Sequence, residues 1–215
     1  MELWYTEEHS ENVRFSIKVE EQLYSAQSPF QRIDVFQSKE FGRFFTLDGL
    51  MMVTEKDEFI YHDMITHVAM ATNPNIKKVL VIGAGDGGTV RELTRYETIK
   101  HIDMVEIDKM VVDVSRKYID ICACKLDDKR VNLYYEDGVA FVRNAKDASY
   151  DLIIVDSTDP IGPGEGLFSV DFYKDCYRVL GEDGILVNQN ESPYFDFNSI
   201  EKIVLVFMGA LATGF

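Results

Sequence analysis

Hydrophobic and polar positions change their rhythm near residue 55. Before it, short apolar runs alternate with polar residues at a period of two, as half-buried strands do. Residues 13–24, Ile33-Asp34-Val35-Phe36 and Phe44-Phe45-Thr46-Leu47 carry this pattern, and Ser28-Pro29, Phe41-Gly42 and Asp48-Gly49 punctuate it. A small antiparallel β module over residues 1–55 is therefore expected, with residues 56–215 as a second unit. The second unit opens on a helix over residues 57–71, in which Phe59, Ile60, Met64, Val68 and Ala71 share one face.

From Lys77 the rhythm becomes strand, turn, helix, repeated. Strands are predicted at 79–82, 102–105, 131–135, 150–155 and 185–188, and helices at 89–96, 109–118, 139–145 and 169–180. Such alternation implies an α/β fold built on a doubly wound, mostly parallel, Rossmann-like sheet. A last helix is predicted over 199–211, with no strand after it.

Composition narrows the function classes. The chain has 215 residues, enough for one sizeable core. Its 22 basic and 37 acidic residues give a net charge of −15, which repels nucleic acid and attracts small cations. No segment reaches the ~18 consecutive apolar residues of a membrane span. The acidic start, Met1 to Glu8, lacks a signal peptide's basic and apolar regions, so a cytoplasmic location is expected. Three cysteines, Cys122, Cys124 and Cys176, offer neither a disulfide framework nor four zinc ligands, which fits a reducing compartment.

Acids gather at the predicted strand ends. Gly83-Ala84-Gly85-Asp86-Gly87-Gly88 fits G-x-G-x-x-G between a strand and a helix, a pattern shared by several nucleotide-binding classes. Glu106 ends the second strand, 21 residues after Gly85, where an acid accepts hydrogen bonds from ribose hydroxyls. Asp137-Gly138 ends the third strand, placed to meet an adenine edge. For Glu106 and Asp137 the competing role is a helix N-cap. Asp156 and Asp159 follow the fourth strand, at the end where open α/β sheets hold ligands. A paired acidic site there can hold a cation, deprotonate an amine, or both. Many adenosylmethionine methyltransferases carry an acid just before the first glycine, but here that residue is Ile82 and the acid is Asp86, inside the loop. A carboxylate at that place repels the carboxylate of adenosylmethionine and attracts an ammonium lacking one.

In order along the chain stand Phe41-Gly42-Arg43, Leu47-Asp48-Gly49, residues 54–64 (TEKDEFIYHDM), the Gly-Asp-Gly-Gly loop, Val105-Glu106-Ile107-Asp108 and Asp156-Ser157-Thr158-Asp159-Pro160-Ile161-Gly162-Pro163. Together they resemble the spermidine synthases, or polyamine aminopropyltransferases, over residues 4–191. The resemblance implies a class I adenosylmethionine-dependent transferase fold. It also implies transfer of an aminopropyl group from decarboxylated S-adenosylmethionine to a diamine, typically putrescine, releasing methylthioadenosine. Asp156 matches the family's proton acceptor. Gln31, Glu106, Asp137, Gly138 and Pro163, with Gly83 and Gly85 of the loop, match nucleoside contacts. His62, Asp86 and Asp159 match polyamine contacts, and Tyr61 a pocket aromatic. Tyr61 and His62 are expected beside an acid-rich entrance formed by residues 55–58.

A sulfonium is already an activated leaving group, so no metal and no resident cofactor are expected, and a homodimer or homotetramer is. The glycines and prolines of residues 160–166 read as a mobile lid. Ala84 stands where the family has glycine, a small change provided φ there is below zero. The family's further strands and a pocket aromatic beyond them have no counterpart here, so a shortened C-terminal part is expected. The residues leave two other readings open: a small-molecule methyltransferase, and a non-catalytic nucleoside- or polyamine-binding protein.

Overall fold

A computed structural model of the protein describes residues 2–158, 162–190 and 197–212. Six strands come first: β1 (Leu3–Ser10), β2 (Val13–Val19), β3 (Glu21–Gln27), β4 (Arg32–Ser38), β5 (Gly42–Leu47) and β6 (Leu50–Thr54). All pair antiparallel, β1 with β2 in a hairpin and β3-β4-β5-β6 in one sheet. The stretch expected as one strand over 13–24 is two, because the chain leaves one sheet and enters the other at Glu20. Asp48 and Gly49, at φ +50° and +86°, make the two-residue turn that joins β5 to β6.

The second unit runs α1 (Glu58–Thr72), β7 (Lys78–Gly83), α2 (Gly88–Thr94), β8 (His101–Val105), α3 (Lys109–Tyr118), α4 (Asp120–Ala123), β9 (Val131–Tyr134), α5 (Gly138–Asn144), β10 (Tyr150–Asp156), a 3-10 helix (Gly162–Phe168), α6 (Val170–Val179), β11 (Leu180–Asn188) and α7 (Phe197–Ala212). Five strands form a parallel sheet in the order β11-β10-β7-β8-β9. The order reverses between β7 and β10, so a crevice opens at their carboxyl ends.

Both faces of this sheet are covered. Val79, Val81, Ile102, Met104, Leu152 and Ile154 pack under α1 and α2 in one core. The alternate residues Leu80, Ile82, Val105, Ile153 and Val155 pack under α5 and α6 in another. This is why the strands read as continuous apolar runs. A third core joins the two units: Ile33, Val35, Phe45 and Val53 of the antiparallel sheet meet Val111 and Val114 of α3.

One expectation needs correction. The face of α1 carrying Phe59, Ile60, Met64 and Val68 is exposed, at 52%, 58%, 63% and 54%. The buried face carries Glu58, His62, Ile65, Thr66, Ala69 and Met70, because Glu58 and His62 find charged partners on neighbouring elements. Of the segment expected as a lid, residues 160 and 161 lie outside the described residues, and Gly162 to Gly166 belong to a 3-10 helix whose Leu167 packs with α5 and α6.

Candidate active site

The carboxyl ends of the parallel strands open into a cavity of about 740 Å³, a volume that suits a small-molecule ligand. Both units line it. Gln31, Phe45 and Met52 come from the antiparallel side, Tyr61 and His62 from α1, and Gly83, Asp86, Glu106, Asp137, Gly138 and Asp156 from the strand ends.

The glycine loop turns against β10. Gly83 has φ +84°, and a Cβ there would lie 2.1 Å from the Asp156 carbonyl oxygen. The next residue fastens the turn: the Ala84 N–H donates to that oxygen at 2.8 Å. Ala84 itself has φ +61°, so alanine occupies a left-handed position, contrary to the expected negative φ. A Cβ on Gly85 would lie 2.7 Å from Val111 Cγ1 and 2.9 Å from Glu106 Oε2, so this glycine lets the loop approach the Glu106 carboxylate.

Asp156 accepts on both oxygens. The Tyr61 hydroxyl donates to Oδ1 and the Thr89 hydroxyl to Oδ2, each at 2.6 Å. Burial and the nearby Asp86 charge push this carboxyl above the usual carboxylate range, against the pull of His62 and the two hydroxyls. A carboxylate raised in this way and held by two donors has the chemistry suited to accepting a proton.

Asp86 is treated oppositely. Burial raises it, but the His62 ring and the Gly88 N–H outweigh this and hold it below the usual range. Both bonds that the described residues supply fall on Oδ1, from Gly88 N–H at 2.6 Å and His62 Nε2 at 3.2 Å. His62 Nδ1 meets Glu58 Oε2 at 2.6 Å. Burial disfavours the charged ring, yet Asp86, Glu58 and Asp156 push its pKa up to about 10. Glu58 is held in turn by Arg91, whose Nη1 and Nη2 donate to its two oxygens at 2.8 and 2.9 Å. Against burial, the His62 and Arg91 bonds draw the Glu58 carboxyl down to about 2. Glu58 thus borders the cavity as a buried, ion-paired residue, where the sequence had suggested an acidic entrance.

Among the described residues, the acids at the ends of β8 and β9 have no such cation. Glu106 Oε1 accepts the Asp108 N–H at 2.8 Å, and burial pushes this carboxyl up to about 7. The N-cap of α3 is Asp108, which accepts the Met110 N–H at 3.0 Å, so Glu106 is left for the cavity. Asp108 also accepts Ser28 Oγ at 2.6 Å and Gln31 Nε2 at 3.2 Å, and these bonds fix Gln31 across the seam between the units. Asp137 does cap its helix, accepting the Val139 N–H at 2.8 Å, while it also lines the cavity.

Residues 58–210 match the family model described as spermine/spermidine synthase domain, and residues 3–55 match spermidine synthase tetramerisation domain. The chain belongs to the spermine/spermidine synthase family. Among curated relatives, a polyamine aminopropyltransferase of Clostridioides difficile (strain 630) is 79% identical over 201 residues, covering 94% of this chain and 71% of the relative. One from Clostridium beijerinckii is 74% identical, covering 91% and 69%. The crystal structure of a spermidine synthase in complex with the transition-state analogue AdoDATO superposes with TM-score 0.93 at 40% identity, covering 97% of this chain and 71% of that one. Spermidine synthase from Thermotoga maritima gives 0.91 at 40% identity, covering 97% and 70%.

Within this family member the structure brings together Gln31, Tyr61, His62, Gly83, Gly85, Asp86, Glu106, Asp137, Gly138 and Asp156 around one cavity. Pro163 belongs to the 3-10 helix, and Asp159 lies outside the described residues. Thr89 and Arg91 were not singled out from the sequence, and Glu58 and Asp108 entered only as members of an acid-rich entrance and of a strand-end motif. Glu58 stands four residues before His62, a helical spacing that signals contact. Two residue sets have metal-ligand proximity among the described residues: Glu58, His62 and Cys122, and Asp63, His67 and Glu92. In each, arginine already occupies a carboxylate, Arg91 on Glu58 and both Arg91 and Arg95 on Glu92, which opposes a cation. The cysteines are free thiols, and burial pushes Cys122 and Cys176 up, away from thiolate chemistry. No described helix is long and apolar enough to cross a membrane.

Proposed function

We propose that the protein is a spermidine synthase that transfers the aminopropyl group of decarboxylated S-adenosylmethionine to putrescine. One observation carries this reading. Asp86, kept charged, and Asp156, raised above its usual range, face a single cavity that Glu106 also lines. An acid kept charged suits an ammonium, and a raised acid suits a proton acceptor.

The roles follow from position. Glu106 accepts from the ribose hydroxyls, and Asp137, Gly138 and Gln31 enclose the base. Gly83 and Gly85 admit the nucleoside against the loop, with Pro163 contributing from the 3-10 helix. His62, Asp86, Asp159 and Tyr61 surround the diamine. A protonated amine has no lone pair, so Asp156 takes a proton from the attacking ammonium. The freed nitrogen forms a C–N bond with the propyl carbon next to sulfur. The C–S bond breaks, its electron pair returns to sulfur, and neutral methylthioadenosine leaves. The sulfonium supplies the driving force, so this route calls for no metal or resident cofactor. Holding both substrates in line supplies the rest.

The tetramerisation match over residues 3–55 supports an oligomer, and we favour a homotetramer. The protein is proposed to act in the cytoplasm.

Incubation of the pure protein with decarboxylated adenosylmethionine and putrescine tests the reading. Methylthioadenosine and spermidine are expected in equal amounts, by chromatography and mass spectrometry. Methylthioadenosine binding without turnover would instead support a non-catalytic binding protein. Methyl transfer from adenosylmethionine would support a methyltransferase.

A further inference from the structure

We propose that Glu58, clamped by Arg91, is a positioning residue for the diamine: it orients the His62 ring so that Nε2 reaches Asp86, and so fixes where the Asp86 carboxylate receives an ammonium group. The inference deepens the aminopropyltransferase reading and rests on it for the identity of the ligand.

Two contacts define the seat of the ring, and a third holds the first of them in place. Glu58 Oε2 holds Nδ1 at 2.6 Å, with side chains only 4% and 2% exposed. Arg91 spans both Glu58 oxygens and also donates to the Ile121 carbonyl, which ties it to α4. Gly88 supplies the floor: a Cβ there would lie 2.2 to 2.4 Å from the imidazole atoms, so the ring lies directly on the start of α2. The ring therefore has one orientation, with Nε2 aimed at Asp86 Oδ1.

The bonds from Gly88 and His62 both fall on Oδ1, and Oδ2 is left to meet a cation in the cavity. Charges face His62 from every side. Glu58 and Tyr61 come from α1, Asp86 from the glycine loop, Arg91 from α2, Cys122 from α4 and Asp156 from the end of β10. Glu58 borders the cavity as well, but both of its oxygens are engaged, Oε1 by Arg91 and Oε2 by Arg91 and His62. Its removal is therefore expected to act on the diamine through the ring.

Glu58→Gln keeps the shape and removes the charge. Steady-state kinetics should show the putrescine KM rising roughly tenfold or more, the scale of a weakened charged hydrogen bond. The kcat at saturating putrescine and the methylthioadenosine affinity should change less than about threefold on the same scale. By NMR of labelled histidine, the His62 titration midpoint should fall by more than about one pH unit as one of its two carboxylate partners is lost. Glu58→Asp should restore the midpoint more fully than the KM, because it returns the charge and not the reach. An unchanged KM and midpoint would overturn the proposal, as would equal losses in kcat, KM and nucleoside affinity, which describe general loosening. If Glu58→Gln does not fold, the parent protein decides: His62 with a neutral ring at pH 8 overturns it, and a ring with both nitrogens protonated supports it. The NMR arm needs no turnover, so a failure of the aminopropyl reading shows in the assay while the ring's state is still read.

Discussion

Glu106 and Asp86 line the same cavity, and the fold drives them in opposite directions. Burial lifts Glu106 to about 7, with a single backbone N–H in opposition. Asp86 is buried as well, yet the adjacent His62 holds it below the ordinary range. The difference lies in the counter-ion. On the proposed assignment, an acid that meets neutral hydroxyls needs no resident cation, whereas one that meets an ammonium is kept ionised by one.

The largest expected effect strikes the third acid, which belongs to neither end. Asp156→Asn should lower kcat by roughly 10²- to 10⁴-fold, the usual contribution of a positioned base. Calorimetry should find methylthioadenosine affinity nearly intact. A matching loss of affinity would make Asp156 a binding residue. Next comes Glu106→Gln, which should weaken methylthioadenosine binding by roughly 10- to 100-fold, the range for hydrogen bonds to a charged group. The putrescine KM should move little, and a comparable shift there would erase the distinction between the two ends.

A pH series sharpens the contrast further. Glu106 gains its proton as pH falls through about 7, so its raised pKa means that acceptance from ribose is strongest above that point. Methylthioadenosine affinity should decline below pH 7, approaching about tenfold per unit at the limit. Glu106→Gln should flatten this dependence. The His62 charge has the opposite sign: it is present below about 10 and lost as pH rises through that value. The smallest effect belongs to the loop between the two acids. Ala84→Gly relieves the positive φ and should raise stability by up to about 1 kcal/mol, or about 2–4 °C in melting temperature for a chain of this size.

Much of the frame was legible because buried parallel strands announce themselves as apolar runs. Val79 to Ile82 and Leu152 to Val155 face cores on both sides, so no polar residue interrupts them. The acids at the strand ends were legible for the complementary reason, since nothing in such a run explains a carboxylate. The strand Leu3–Ser10 was not legible, because its burial pattern leaves little beyond Tyr5 facing inward. The orientation of α1 was misread for a deeper reason. Its buried polar residues are stabilised by Arg91, 33 residues beyond Glu58, and by Asp86 in the glycine loop. Local periodicity records hydrophobicity and carries no trace of such distant ion pairs. Thr89 escaped for the same reason, since its partner Asp156 is 67 residues away.

Tyr61 and His62 are consecutive residues on one helix, and each points to a different acid. A single peptide unit therefore joins the partners of two acids whose own spacing is set by the pairing of β7 with β10 and by the Ala84 N–H on the Asp156 carbonyl. A tilt of that helix would disturb both contacts together.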